Sequence, residues 1–390
     1  MADELRALTR LTFDELSGAA GGIGQIHRAI ADRAFGAAGS GPPRAIHDAI
    51  SAGVYAGVRG AAVLAGRATS GLVAGRGRSL SVSPGGAALL GVITGLRGDV
   101  LEREESDLAE PMAIRVDGLP VAPSQVPDTG PRVVVFLHGL FETEYAWGRE
   151  PYGLRLARDL AMTPVYVRYN TGRHISDNGR SLADLLEELV REWPVEVEQI
   201  ALVGHSMGGL VARSACWYGF ERGDAWVERV RHTVTLGTPH LGAPLASAVH
   251  YASAALGVAP ETRPFAGLLR RRSAGIRDLR QGSLVDEDWR GRDPDALRAA
   301  ACKEIPLLER AAHHFVSATV TRTAGHPVGR LVGDWLVLQP SASGRNRTRV
   351  IGFREEDGFH LGGTHHLALL NHPEVYARLR DWLARAPRAD

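Results

Sequence analysis

The sequence has few cysteines and almost no net charge. Its two cysteines are Cys216 and Cys302, and the formal net charge over 390 residues is +1. Two cysteines cannot form the disulfide framework that stabilises small secreted domains. A balanced charge argues against a nucleic-acid-binding protein, because such proteins usually carry a marked excess of basic residues. With 44% apolar residues, the chain has enough hydrophobic material for a large buried core.

Long hydrophobic runs are also scarce. The apolar run at residues 84–96 is rich in glycine and shorter than the ~20 residues that a membrane-spanning helix needs. The first residues, MADELRALTRLTFDEL, include acidic side chains and lack the apolar core of a signal peptide. We therefore expect a soluble, cytoplasmic protein without a transmembrane segment.

Residues 1–108 are rich in alanine and glycine and show helical periodicity. A short repeat lies within them, since IHRAIADRAFGA begins at Ile26 and IHDAISAGVYAG begins at Ile46. The apolar positions of both copies fall on one helical stripe, which predicts a pair of amphipathic helices. These helices either pack against each other and the rest of the chain or form an apolar cover over a site. On either interpretation, His27 and His47 are packing or surface residues rather than metal ligands.

The pattern changes from residue 109 onwards. Alternating apolar residues around Asp117-Gly118 predict a β-hairpin at 112–121. Further strands are predicted at 133–137, 164–169, 199–203, 230–236, 315–320 and 348–353, and the clearest helices at 181–193 and 210–218. Strands that alternate with helices indicate an α/β domain with a doubly wound, mostly parallel sheet. This domain is expected to cover residues 109–390.

One section interrupts the alternation. Residues 244–312 are rich in arginine, resemble helical sequence and lie between two predicted strands. A connection this long inside a compact domain usually has a function of its own, such as covering a site. We therefore expect a helical lid at about 244–312.

The strongest motif is Gly204-His205-Ser206-Met207-Gly208, a G-x-S-x-G pattern between a predicted strand and a predicted helix. A strand that turns sharply into a helix exposes the serine hydroxyl in a strained conformation. Larger side chains at Gly204 and Gly208 would clash in such a turn. The alternative, a glycine-rich turn with an incidental serine, does not account for the strand and helix on either side. Ser206 is therefore the candidate nucleophile.

A second motif, FLHGLFETEYAW at 136–147, follows the first buried strand. Acyl transfer needs backbone N–H groups directed at the negatively charged oxygen of the tetrahedral intermediate. Met207, directly after Ser206, offers one such group, and Leu140, directly after the flexible Gly139, offers the other. His138 is interpreted as a structural residue that anchors this loop.

Together, HGL, GHSMGG and TLGTPHLGAP (235–244) resemble the lipases and esterases of the α/β-hydrolase superfamily, and the resemblance covers about residues 110–385. It implies the α/β-hydrolase fold and a Ser–Asp–His triad in that chain order. GDWLVLQPSAS at 333–343 resembles the segment that contains the acid, which nominates Asp334. Asp357, in a charged turn, is the alternative acid.

Three histidines lie in THHLALLNH, at residues 364–372. The superfamily places its base before a C-terminal helix, directly ahead of a hydrophobic residue, and His366 fits that position better than the adjacent His365. Neighbouring side chains in a short irregular segment point to different sides, so only one of the two can face Ser206. A metal site is the alternative, but the stretch lacks a supplementary carboxylate or thiol ligand. We expect neither a metal nor a cofactor.

The resemblance implies a carboxylic-ester hydrolase that acts on hydrophobic acyl esters through an acyl-enzyme on Ser206, with a role in lipid metabolism. The same triad could instead serve an acyltransferase, a thioesterase, an amidase or a polyester hydrolase. A non-catalytic lipid-binding scaffold is the alternative from another class of protein. Transient contact with a lipid surface fits such a substrate. The natural ester, the acyl chain length and the oligomeric state stay open.

Overall fold

The structure, a computed structural model, describes residues 80–148, 151–243, 272–294, 296, 301–323, 325–347 and 349–385. The repeat at Ile26 and Ile46 and most of the predicted region 1–108 therefore lie outside the described residues, as do residues 244–271 of the predicted lid.

Eight strands form one sheet in the order β2-β1-β4-β3-β5-β6-β7-β8. They are β1 (Ala113–Val116), β2 (Leu119–Val121), β3 (Arg132–Leu137), β4 (Thr163–Arg168), β5 (Gln199–His205), β6 (Val230–Leu236), β7 (Ala312–Thr319) and β8 (Gly358–Gly362). β1 is antiparallel to both of its neighbours, and the remaining pairs from β4 to β8 are parallel. The predicted hairpin and the predicted strands up to residue 320 are confirmed.

The helices of the described residues are α1 (Pro84–Arg103), α2 (Tyr152–Leu160), α3 (Ile175–Glu192), α4 (Met207–Arg222), α5 (Ala274–Asp278), α6 (Pro327–Val332), α7 (Gln339–Ala342) and α8 (Pro373–Leu383). α1 is kinked at Arg97, whose backbone is not helical. Within the described ranges, no helix is both long and apolar enough to cross a membrane.

β3 explains why the sheet is covered on both faces. Val133, Val135 and Leu137 join the hydrophobic cluster that includes α3 and α4, whereas Val134 and Phe136 join the cluster that includes α2 and α8. All five side chains are fully buried. Because successive side chains of a strand point to opposite faces, a continuously apolar strand needs cover on both sides. The predicted doubly wound, mostly parallel sheet is confirmed.

The prediction of the last strand, at 348–353, is wrong. Apart from an isolated bridge between Arg345 and Val350, the described residues 349–353 form a loop, and the edge strand is β8. Ile351 and Phe353 are buried beside Phe315, while Gly352 between them has a φ of +101°, which extended strands do not adopt. The alternating apolar residues thus serve a loop that packs beside β7.

The described part of the 244–312 section is mostly irregular and is fixed to the body. It contains the five-residue helix α5 and a 3₁₀ turn at Asp286–Asp288. The carboxylate of Asp278 accepts a hydrogen bond from the Ile175 amide at 2.8 Å and lies 3.0 Å from His174 Nδ1. Leu284 and Val285 are buried in the main core. The section's role as a lid stays a prediction.

Candidate active site

Ser206 lies on a sharp turn between β5 and α4. Its φ and ψ are 52° and −120°, a combination that is unfavourable for a residue with a side chain. A Cβ added to Gly204 would lie 2.4 Å from the Gly209 nitrogen, and one added to Gly208 would lie 2.3 Å from the Leu137 oxygen. These two positions therefore admit only glycine without a backbone shift. The Ser206 amide also donates to the Leu236 oxygen at 2.8 Å, which ties the turn to β6.

His366 and Asp334 form a buried pair. His366 Nδ1 lies 2.7 Å from Asp334 Oδ2, and the His366 amide donates to the Asp334 carbonyl at 3.0 Å. The exposed fractions of the two residues are 3% and 1%. The other carboxylate oxygen, Oδ1, accepts hydrogen bonds from the amides of Leu336 and Val337. Asp334 is therefore held by donors on both oxygens and orients the imidazole, the arrangement that a general base requires.

Three influences set the basicity of His366. Burial is the largest of these and lowers the pKa, but the charge and hydrogen bond of Asp334 raise it, and the charge of Glu142 raises it further. The net result is a His366 pKa above the usual value for histidine. The two nearby carboxylates thus outweigh the cost of burying an imidazolium ion.

His366 lies beside the turn that contains Ser206. A Cβ added to Gly237, directly after β6, would lie 3.0 Å from His366 Nδ1, and the preceding Leu236 oxygen accepts the Ser206 amide hydrogen bond. His366 Nε2 is buried and has no hydrogen-bond partner among the described residues. An unpartnered buried nitrogen is costly, and a serine hydroxyl from the neighbouring turn is a suitable partner.

The other histidines near the C-terminus have separate environments. His365 is exposed, whereas His366 is buried. His360, on β8, lies 2.9 Å from Ser317 Oγ, and His372 caps α8 by accepting the Glu374 amide. In the part of the chain that the structure describes, no three His, Cys, Asp or Glu side chains are grouped to hold a metal ion. Asp357, the alternative acid, lies 3.9 Å from His314 instead of beside His366.

The loop after β3 carries Leu140, one of the two predicted oxyanion donors, and the other, Met207, begins α4 directly after Ser206. A Cβ added to Gly139 would lie 3.0 Å from Ser206 Cβ, so this loop runs directly past the nucleophile candidate. The amides of Leu140 and Met207 donate to no other described residue. His138 Nδ1 donates to the Gly139 oxygen and its Nε2 accepts from the Tyr169 amide. Both nitrogens of His138 are thus occupied, which suits the structural role predicted for it.

Helical structure was predicted before residue 109, but the packing of α1 on this loop was not. A Cβ added to Gly95 of α1 would lie 2.2 Å from Cδ1 of Phe141, and one added to Gly91 would lie 2.8 Å from the Phe141 oxygen. Asn170 Nδ2 donates to the Gly98 oxygen at 2.9 Å. α1 precedes the predicted boundary at residue 109, yet its contacts are with the α/β body. The spacing Gly91-x₃-Gly95-x₂-Gly98 is the missed signal, because these positions share one helix face.

Three observations identify the architecture. The sheet has eight strands, Ser206 lies on the turn after β5, and His366 lies on the loop after the last strand. The chain has the α/β-hydrolase fold. The resemblance recognised in the sequence is confirmed at the level of the fold.

The family described as a PGAP1-like alpha/beta domain matches residues 159–259. The chain is 20% identical to the mature form of the Bacillus licheniformis lipase BlEst2, with a TM-score of 0.42 over 70% of this chain and 99% of that one. For the propeptide form the identity is 19% and the TM-score 0.42, over 68% of this chain but only 53% of that one. A hyperthermophilic esterase from the archaeon Pyrobaculum calidifontis is 16% identical, with a TM-score of 0.38 over 76% of this chain and 86% of that one. No curated protein matches the sequence.

Proposed function

We propose that this protein is a serine hydrolase that cleaves carboxylic esters of hydrophobic acids. One observation carries the proposal. A buried His366 is hydrogen-bonded to Asp334 through Nδ1, and its Nε2 has no partner among the described residues, beside a serine on a strained strand–helix turn. This combination supports a nucleophile, a base and an orienting acid better than it supports a binding scaffold, which gains nothing from the strain at Ser206.

In the first half of the reaction, His366 Nε2 takes the proton from Ser206 Oγ as the oxygen attacks the ester carbonyl. Asp334 keeps Nδ1 protonated and stabilises the imidazolium ion that forms. The amides of Leu140 and Met207 bind the carbonyl oxygen as it becomes negative. The intermediate then collapses, the proton on His366 passes to the leaving alkoxide, and the alcohol departs from an acyl-enzyme.

In the second half, a water molecule replaces the alcohol. His366 removes a proton from this water as it attacks the acyl carbonyl, and the same two amides bind the second oxyanion. When the second intermediate collapses, the carboxylic acid is released and the proton returns from His366 to Ser206 Oγ. The protein, the ester and this one water molecule balance all of these steps.

Exposed apolar side chains beside the proposed triad support a hydrophobic substrate. Trp335 directly follows Asp334 and is 45% exposed, and Leu367 directly follows His366 and is 55% exposed. Single exposed apolar side chains are common on protein surfaces, but these two directly follow the proposed acid and base, a position that suits contact with an acyl chain or a lipid surface. The proposal therefore favours esters of longer acids over acetate esters.

A fluorophosphonate probe tests the proposal directly, because it reacts with an activated serine. We expect the full-length protein to be labelled and Ser206→Ala to be unlabelled, while Ser124→Ala, a substitution at an exposed serine, keeps full labelling. A folded Ser206→Ala protein that is still labelled would exclude Ser206 as the nucleophile, and unlabelled native protein would favour a scaffold.

The acyl chain preference, and whether water or an alcohol accepts the acyl group, need a separate measurement. Hydrolysis of p-nitrophenyl esters from acetate to palmitate gives the chain-length preference, and we expect kcat/KM to rise beyond the shortest ester. Product analysis with added alcohol separates hydrolysis from acyl transfer. Free acid as the main product supports the hydrolase, whereas a new ester formed in preference to acid would assign an acyltransferase.

A further inference from the structure

Glu142 is an acidic residue on the loop that passes Ser206, and none of the proposed catalytic steps uses it. Its Oε2 accepts a hydrogen bond from the Gly139 amide at 2.6 Å and lies 2.9 Å from His205 Nδ1. The Glu142 side chain is 13% exposed and that of His205 is fully buried. His205 immediately precedes Ser206, so this carboxylate joins the loop after β3 to the strand–helix turn.

The contact with Gly139 decides which amide of the loop stays free. Glu142 also donates its own amide to the Gly139 oxygen at 3.2 Å, so the loop closes on itself through two hydrogen bonds. The Gly139 N–H is thereby occupied, while the next amide, that of Leu140, donates to no other described residue. Phe141 completes the turn with a φ of +66°. A loop closed in this way leaves the Leu140 N–H without a partner in the described part of the protein, on a segment that passes directly by Ser206.

A negative charge beside an oxyanion site would oppose catalysis unless it is balanced. Burial is the largest influence on Glu142 and raises its pKa, but the charge of His205 and hydrogen bonds from His205 and Gly139 bring the net pKa below the usual value for a glutamate. Glu142 is therefore a carboxylate at neutral pH. His205 Nδ1 and the Gly139 amide are the two donors placed to hydrogen-bond that carboxylate.

His205 extends the connection to the base. Its Nε2 lies 3.4 Å from the His366 carbonyl oxygen, and the centres of the two imidazole rings are 4.7 Å apart. The titratable side chains that interact electrostatically with Glu142 are His205, His138 and Tyr169. Asp334 and Glu142 interact with His366 in the same way, and the His205 ring lies beside it.

We infer that Glu142, together with His205, is a positioning residue that holds the oxyanion loop with the Leu140 N–H free and links that loop to the base. The inference rests on the proposed function, since it assigns a purpose to a loop conformation only if an oxyanion forms beside Ser206. It concerns residues that touch neither the reacting atoms nor the substrate.

The test uses full-length protein with Glu142→Ala, Glu142→Gln and the control Glu144→Gln. Glu144 lies on the same loop and is also buried, but its carboxylate binds Arg168. We expect Glu142→Ala to lower kcat for p-nitrophenyl butyrate by about 100-fold with KM nearly unchanged, the loss typical of one oxyanion donor. Glu142→Gln keeps an oxygen for the Gly139 amide and should recover activity to within about 10-fold of native. Glu144→Gln should keep its kcat per folded molecule.

The pH profile gives a result that a purely structural role would not produce. Removing the Glu142 charge makes the His366 imidazolium less stable, so the acid limb of kcat/KM in Glu142→Gln should move to lower pH. The limb of Glu144→Gln should stay in place. An unmoved limb in Glu142→Gln, native kcat in Glu142→Ala, or equal losses in the Glu142 and Glu144 variants would overturn the inference. Native activity in Ser206→Ala would instead overturn the proposed function, so the two failures are distinguishable.

Discussion

The turn that holds Ser206 and the loop that holds Leu140 face the same space but are stabilised differently. The turn is fixed by its own backbone, through two glycines in close contact and one hydrogen bond to β6. The loop is fixed by side chains and by a helix from elsewhere in the chain, namely Glu142 and α1. A local sequence motif can therefore identify the turn, whereas the loop depends on contacts that no short motif describes.

The largest expected effect concerns the base beside the turn. His366→Ala should lower kcat by about 10⁴-fold, because triad residues act as a unit. His365→Ala is the matched control, since His365 is exposed and adjacent, and it should cost no more than a few-fold. Steady-state kinetics on p-nitrophenyl butyrate measures both.

One result for these two variants would contradict the prediction. A severe loss in His365→Ala beside an active His366→Ala would assign the base to His365. Circular dichroism should show that both variants are folded, so that a loss of kcat is not a loss of protein.

A smaller effect is expected where α1 touches the loop. The Cβ of Gly95→Ala would overlap the Phe141 ring, whereas a Cβ at Gly85 of the same helix has no atom within 4 Å. Overpacking of this kind typically costs about 1–3 kcal/mol, so Gly95→Ala should unfold at lower temperature and lose kcat through displacement of the loop. Gly85→Ala should be neutral or slightly stabilising. Thermal unfolding and kcat are measured on both.

If Gly95→Ala loses stability but keeps native kcat, then α1 supports the fold without setting the loop. If Gly85→Ala also loses both thermal stability and kcat, then α1 tolerates no added side-chain volume, and overlap with Phe141 does not explain the effect of Gly95→Ala.

The same contrast explains how far the sequence alone could lead. The sheet was predictable because buried strands such as 133–137 are continuously apolar. The Ser206 turn was predictable because Gly204 and Gly208 lie two residues to either side of the serine in the sequence. β8 could not be predicted in the same way. Ile351 and Phe353 alternate as in a strand although they belong to a loop, and the strand itself, Gly358–Gly362, contains two glycines and a histidine. The partnership of Glu142 with His205 spans two segments 63 residues apart, a distance at which pairing cannot be inferred from one sequence.

The pH dependence of activity reports on two carboxylates near the base, and one of them, Glu142, lies on the Leu140 loop. Folding raises the pKa of His366 through Asp334 and Glu142, so the acid limb of kcat/KM should have its midpoint above the usual histidine value of about 6.5. The raised pKa of His366 also makes the stability of the folded protein depend on pH. A raised pKa contributes stability that is complete below the unfolded-state value and is lost as pH rises through the folded-state value.

Chemical denaturation at a series of pH values checks this sign. The difference in unfolding free energy between native protein and His366→Ala should be larger at pH 5.5 than at pH 8.5. A difference that grows with pH would show that burial, rather than the two carboxylates, dominates the His366 environment.

The smallest expected effect concerns the residue next to Asp334. Trp335 has a φ of +90°, which glycine adopts freely and a bulky aromatic does not. Trp335→Gly should therefore be more stable than Trp335→Ala by about 1 kcal/mol, since both remove the indole and only glycine removes the strain. Because the indole is 45% exposed, both variants should also shift kcat/KM away from long acyl chains if it contacts the substrate. Equal stability of the two variants would mean that the turn around Asp334 relaxes without the indole, and an unchanged chain-length profile would remove Trp335 from the proposed substrate contact.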